Sequence, residues 1–237
     1  MRLLAASLGF IWDPLGRRWR RDADGRLIRR DRVTRTRRAH IRRFILIGIY
    51  TGTRHEAIEP LQCHPNTTGG WFDLERGRIY RRGEGERETR KRRQPEKVAH
   101  RLVPHLTRWA ASDAEHGVLH VIHTSSGDSL STPIRTGWRG CLRNAGLDAK
   151  VVPHVMRHTA ATWLMQAGVD VWEAADMLGM MMETLHGTYE RQHPDFQDGA
   201  AGAFRGEALT PISWAISWAE NYGIGPSYCI NGRSGRI

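Results

Sequence analysis

Cysteine is scarce in this sequence: Cys63, Cys141 and Cys229 stand far apart in 237 residues. Their number is odd and no C-x-x-C pair occurs, so neither a disulfide framework nor a cysteine-based zinc site is indicated. Long apolar runs are also missing. The longest, residues 44–50 (Phe-Ile-Leu-Ile-Gly-Ile-Tyr), is far short of the roughly 20 residues of a membrane-spanning helix, so no membrane partner is expected. Residues 1–10 are apolar but lack a small-residue cleavage site before Arg17-Arg-Trp-Arg-Arg21. They read as a helix rather than a secretory signal, which places the protein in the cytoplasm.

Negative charge is in short supply as well. Asp and Glu number 25 against 36 Lys and Arg, for a net charge of +11. Residues 1–43 carry 14 Arg and 4 acids, and residues 76–101 carry 11 basic residues and 4 acids. The excess is therefore concentrated in two stretches, the pattern expected of a protein that meets a polyanion, nucleic acid first among them.

Hydrophobic spacing predicts a mainly α protein with a small antiparallel β-sheet, an α+β class. Helical periods run through Leu3–Ile11, Arg35–Tyr50, 102–117, 132–145, 153–167 and 170–179. Asp170-Val-Trp-Glu173 has the form of a capping box, and Gly146, Gly168 and Gly179 stand where C-terminal caps belong. Thr51-Gly52-Thr53 breaks the second helix, a new helical turn begins at Arg54, and Pro60 should end it. Residues 16–32 read as a loop or short hairpin. Strand character appears at Trp71-Phe72, Arg78–Tyr80 and Glu88–Lys91, between glycines. Residues 1–205 are read as one catalytic domain and 206–237, rich in Trp, Gly and Ser, as an unassigned tail.

Four segments carry groups suited to phosphodiester chemistry, which needs a nucleophile in line with the leaving oxygen, positive charge around the non-bridging oxygens, and an acid for the leaving hydroxyl. The first is Tyr50-Thr-Gly-Thr-Arg54-His-Glu-Ala-Ile58. The second is the basic run Glu88-Thr-Arg90-Lys91-Arg92-Arg93-Gln-Pro95, with Lys97 just beyond it. The third is Pro153-His154-Val-Met-Arg157-His158-Thr-Ala-Ala-Thr162. The fourth is Leu178-Gly-Met180-Met-Met-Glu-Thr-Leu-His-Gly-Thr-Tyr189. Three residues apart, His154 and Arg157 share one helix face. Arginine suits a phosphate clamp because its planar fork donates two hydrogen bonds and stays protonated.

In this order the segments resemble the catalytic domain of the tyrosine recombinases, the phage-integrase family, across about residues 1–204. The match rests on T-G-x-R, on H-x-L-R-H-T-x-A-T with Met156 in the Leu place, and on a tyrosine nine residues after the position following L-G. The resemblance implies a DNA breaking-rejoining fold and site-specific recombination or integration of mobile-element DNA through a 3′-phosphotyrosine, at the bacterial nucleoid. It implies Tyr189 as nucleophile, Arg54 and Arg157 as phosphate clamps, His154 as their companion, and Lys91 as the acid for the 5′-oxygen. Lys97 is the alternative acid; Arg90 is a poor one, since guanidinium hardly gives up its proton. Arg90, Arg92, Arg93 and Lys97 would contact DNA. No metal or other cofactor is implied, and the partners are double-stranded DNA and three further copies in a homo-tetramer on synapsed sites. His158 is read as a structural residue.

The sequence departs from the family pattern at Met180, where His or Trp is usual, and at Pro60. It also begins almost at the catalytic unit, without the usual N-terminal DNA-clamping domain. A rival reading is a DNA-binding protein without catalysis, either a truncated remnant or a regulator whose helices 153–167 and 170–179 form a helix-turn-helix. A type IB topoisomerase shares the chemistry, but T-G-x-R and L-G favour a recombinase.

Overall fold

The computed structural model describes residues 2–87, 94–130, 134–194 and 196–198. Its contacts divide the chain into two units, Met1–Pro194 and Asp195–Ile237; the fold below is that of the first. The described residues are mainly helical with small antiparallel sheets, the class the sequence predicts.

Helix α1 (Arg2–Ser7) is shorter than its periodicity implies. The chain turns at Gly9, in the left-handed region with φ +96°, and enters a hairpin of β1 (Trp12–Asp13) and β2 (Arg18–Trp19). The rings of Trp12 and Trp19, paired across the hairpin, meet edge to face with 5.2 Å between centroids, so the pair holds this short ribbon together. The helix expected over 35–50 is in fact two. In α2 (Arg32–Arg37) the Asp31 carboxylate accepts from the Thr34 N–H at 2.8 Å, an N-cap. Arg38 (φ −99°, ψ 5°) then breaks the path before α3 (Ala39–Thr51).

Helix α3 is the centre of the larger core. Ile41, Phe44, Ile45 and Ile47 are fully buried, and the cluster extends to Ile58, Leu61, Phe72, Ile79, Leu102 and Leu142. A helix apolar on so many sides is stable only when surrounded, and here α1, α2, α4 (His55–Ile58) and α7 (Val155–Gln166) all pack on it. Pro60 follows the end of α4, as its missing N–H requires. Strands β3 (Trp71–Asp73), β4 (Arg78–Tyr80) and β5 (Glu96–Lys97) form an antiparallel sheet in that order. The strand predicted at Glu88–Lys91 lies outside the described residues; the third described strand is β5. Helices α5 (Val103–Glu115) and α6 (Arg135–Ala145) follow, the latter closed by left-handed Gly146.

A smaller core joins α7, α8 (Val171–Leu178) and α9 (Met182–Tyr189) through Ala160, Ala161, Met165, Ala174, Ala175, Leu178, Leu185 and Tyr189. The Asp170 carboxylate caps α8, accepting from the N–H groups of Trp172 (2.9 Å) and Glu173 (3.2 Å). Small Ala side chains at this junction let the three helices approach closely, so that the end of α9 lies against the start of α7.

Candidate active site

The site is organised around two helix ends. Helix α3 stops at Gly52, whose φ of +60° is the left-handed C-cap conformation that glycine adopts without strain. A Cβ there would also meet Leu178 Cδ2 at 2.2 Å. Helix α8 stops in the same way at Gly179, with φ +56°. The two end carbonyls point at one side chain: Arg157 Nη1 donates to Gly52 O at 2.8 Å and Nη2 to Gly179 O at 3.2 Å. Arg157 thus joins the T-G-x-R and L-G segments through their cap glycines, with only 4% of its surface exposed. Burial, with Arg54 and Arg81 as like charges nearby, brings its pKa down to about 10, and Tyr189 acts in the opposite direction.

Arg54 follows directly, as the N-terminal boundary residue of α4, in extended conformation and half-buried. His154 stands at the start of α7 and is exposed; burial of part of its ring, and then His158, Arg157, His55 and Arg54, hold its pKa below the ordinary histidine value. Tyr189, the last residue of α9, is buried. Burial pushes its phenol up, and the positive charge of Arg157 partly offsets this. Arg54, His154, Arg157 and Tyr189, spread over 136 positions of sequence, are therefore brought within electrostatic reach of one another.

His158, read in the sequence as structural, is joined directly to Tyr189. Its exposed ring lies one turn after His154, edge to face with it at 4.7 Å between centroids, and its Nδ1 is hydrogen-bonded to the Tyr189 hydroxyl. Only the fold could reveal this partner, 31 residues away.

Arg81, at the end of β4, was also missed. Its Nη2 donates to Thr51 O (2.8 Å) and Met177 O (2.7 Å), and Nε donates to Thr53 Oγ1 (3.1 Å). Nη1 lies 3.8 Å from Glu96 on β5. The loop that presents Arg54 is thereby tied to the last turn of α8. A signal existed in the sequence: along a strand, residues two apart share a face, so Arg81 falls on the side of fully buried Ile79. Burial lowers the Arg81 pKa to about 10, and burial raises Glu96 to about 7, with Arg81 pulling it down and Asp176 pushing it up.

Of the second segment, Arg90, Lys91, Arg92 and Arg93 lie outside the described residues. Lys97 is exposed; it pairs in register with Arg78, and its buried neighbour Glu96 faces the other side of the sheet. Met180, partly buried, packs against the α7–α9 core. Its thioether fills apolar space and cannot donate a hydrogen bond. Among the basic residues of 1–43, Arg2, Arg17, Arg18, Arg20, Arg21, Arg26, Arg29, Arg30, Arg32 and Arg37 are exposed. Arg43 differs: it is paired with buried Asp113, Nη2 donating to Oδ1 at 2.8 Å, and lies over Trp109, so it serves the core.

The sequence profile of the phage integrase family matches residues 32–193, well over half of the chain, a span that includes Arg54, Arg81, His154, Arg157, His158 and Tyr189. The chain belongs to the phage integrase family. The architecture is similar to two solved members of the wider recombinase fold. One is the XerA recombinase, with TM-score 0.53 and 18% identity over 87% of this chain and 61% of that one. The other is the XerH site-specific recombinase, solved bound to palindromic difH substrate as a post-cleavage complex, with TM-score 0.50 and 20% identity over 86% and 51%. At such identities the likeness is one of fold. This integrase-family chain spans 61% and 51% of the lengths of those proteins. A search of curated protein sequences gives no match. Among the described residues no helix is long and apolar enough to cross a membrane.

Proposed function

We propose that this chain recombines DNA at specific sites by cutting and rejoining strands through a 3′-phosphotyrosine. The observation that carries this reading is the convergence of Tyr189 and Arg157, tied to both helix ends beside Arg54, in a chain of the phage integrase family. Tyr189 Oη attacks phosphorus as the P–O5′ bond breaks. Arg54, Arg157 and His154 hold the charge that develops on the non-bridging oxygens, where preorganised donors contribute most. Arg157 has three N–H groups beyond the two engaged by carbonyls. Lys91 protonates O5′; the exposed face on which Lys97 stands suits it to phosphate contact instead. Rejoining is the reverse, with a 5′-hydroxyl of the partner strand attacking the phosphotyrosine, so the phosphodiester energy is kept and no cofactor is called for. The substrate in this reading is double-stranded DNA, held by the exposed arginines of residues 17–37 and by Arg90, Arg92 and Arg93; the similar XerH recombinase was solved bound to its palindromic difH substrate. The working assembly is a homo-tetramer on two synapsed duplexes.

The rival helix-turn-helix reading uses Arg157 as a groove contact. Its burial and its two backbone carbonyl partners argue against that role. The test is covalent capture from a pool of nicked duplexes with randomised flanks. The wild-type chain should yield a denaturation-resistant DNA adduct, and Tyr189→Phe none. An adduct of undiminished yield from the Phe variant would remove Tyr189 from the mechanism.

A further inference from the structure

A buried phenol is a poor nucleophile until its proton has somewhere to go. Near neutral pH almost all of an ordinary tyrosine is protonated, and burial of Tyr189 moves it further in that direction. Attack on phosphorus therefore calls for a base at the hydroxyl, within hydrogen-bond reach of the proton it removes. Lys91 has the opposite task, on the leaving oxygen. His154, one turn earlier at the start of α7, has its ring against that of His158, and the hydrogen bond of the Tyr189 hydroxyl goes to His158.

We infer that His158 is the general base for Tyr189, and that its Nδ1 takes the phenol proton as the Oη–P bond forms. The assignment rests on the recombinase reading above and adds a catalytic residue to it. The geometry is direct: Nδ1 is hydrogen-bonded to Oη, with ring centroids 6.0 Å apart and planes at 44°. In the neutral tautomer that can accept this proton, Nε2 carries the ring hydrogen. The balance is closed. Tyr189 loses a proton to His158, Oη bonds to phosphorus, P–O5′ breaks, and O5′ takes a proton from Lys91. On rejoining, the incoming 5′-hydroxyl returns its proton to Lys91 and His158 returns its own to the departing phenolate.

Exposure matters as much as contact. Tyr189 is buried, whereas His158 is exposed on the same helix as His154 and Arg157. A proton accepted at Nδ1 is thus on a ring in touch with water rather than sealed among cations. The titratable groups in contact with it are His154 at the start of α7 and Tyr189 on α9; Arg157 lies on the same helix, and Glu190 and Arg191 lie on the turn after α9, which packs against α7. The α7 helix then has a division of labour: His154 and Arg157 serve the phosphate, and His158 the nucleophile.

The experiment uses the full chain and a nicked duplex captured from the randomised pool, made with either oxygen or sulfur at the 5′-bridging position. A thiolate leaves without an acid, so the sulfur duplex restores variants that lack the leaving-group acid and leaves base variants slow. His158→Asn keeps an acceptor oxygen near the position of Nδ1 but cannot take a proton. Its single-turnover adduct formation should fall about 100-fold or more, in the range typical of a lost general base, on both duplexes. Lys91→Ala should recover on the sulfur duplex alone. The acid limb of the pH–rate profile should flatten in His158→Asn, which a purely structural role would not produce, and DNA affinity should stay within about two-fold. A His158→Asn rate within three-fold of wild type, an unchanged acid limb, or recovery of His158→Asn on the sulfur duplex would each overturn the assignment while the recombinase reading stands. If the wild type forms no adduct with any duplex it binds, the recombinase reading falls and this assignment falls with it.

Discussion

Arg81 offers the sharpest test of how the candidate site is held, because it bonds both the segment before Arg54 and the last turn of α8. Replacing it with Met preserves much of its length and removes every donor. Thr53 Oγ1 keeps a partner in the Thr51 hydroxyl, at 2.6 Å, so the main losses are the bonds to Thr51 O and Met177 O and the charge opposite Glu96. Each buried acceptor left unsatisfied costs about 1–3 kcal/mol, and breaking a buried ion pair from one side costs about 3–5 kcal/mol. Glu96 softens the second figure, since its carboxyl is already raised to about 7 and can take a proton. We therefore expect Arg81→Met to lose about 2–4 kcal/mol near pH 8, and less near pH 6, where Glu96 is largely neutral, a sizeable part of the roughly 5–15 kcal/mol that holds a domain together. Urea unfolding of the full chain at the two pH values measures this. Arg81→Met/Glu96→Gln should recover part of the loss at the higher pH and little at the lower. A cost under about 1 kcal/mol near pH 8 would refute the claim that Arg81 ties the Arg54 loop to α8.

Glu96 alone gives a pH signature. Its folded pKa of about 7 lies above its ordinary 4.5, so the folded state binds the extra proton between those values. Stability should fall as pH rises through that window and level off above it, by at most about 3 kcal/mol; melting curves of Glu96→Gln should lack this slope, and an identical slope would be evidence against it. Gly52→Ala places a Cβ 2.2 Å from Leu178 Cδ2 in a left-handed residue. It should destabilise by about 1–3 kcal/mol and slow adduct formation by displacing an Arg157 acceptor; an unchanged unfolding midpoint would contradict this. Met180→His should add a donor of the kind whose loss costs about 100- to 1000-fold in rate. Adduct formation should rise at least about ten-fold at unchanged DNA affinity, and an unaltered rate would mean that another group already fills that place.

Much of the fold could be read locally because its signals are local. The capping box at Asp170 and the cap glycines 52, 146 and 179 stand at helix ends. The apolar character of residues 44–50 marks the central helix. The early end of α1 and the break at Arg38 were missed because tertiary packing, rather than hydrophobic period, sets those boundaries. The grouping of Arg54, His154, Arg157 and Tyr189 followed from motif order, which stands in for tertiary contact. Arg81 and His158 had no such aid. Arg81 acts on residues 28 and 96 positions away, and a single strand-end arginine in a run of arginines is hidden by its own composition. His158 sits inside a motif, yet its neighbour in space lies on another helix.

The double attachment of Arg157 to Gly52 and Gly179 has a practical consequence for anyone wanting an inert bait to fish for the natural DNA sequence. A residue that staples two helix ends and is also the proposed phosphate clamp is a poor place to silence the protein, because a dead variant there could equally be a collapsed one. The ring of Tyr189 belongs to the α7–α9 core, and Phe keeps that ring while deleting only the hydroxyl. The silent decoy is therefore to be built at Tyr189, the proposed nucleophile, leaving the staple intact to hold the two helix ends in place.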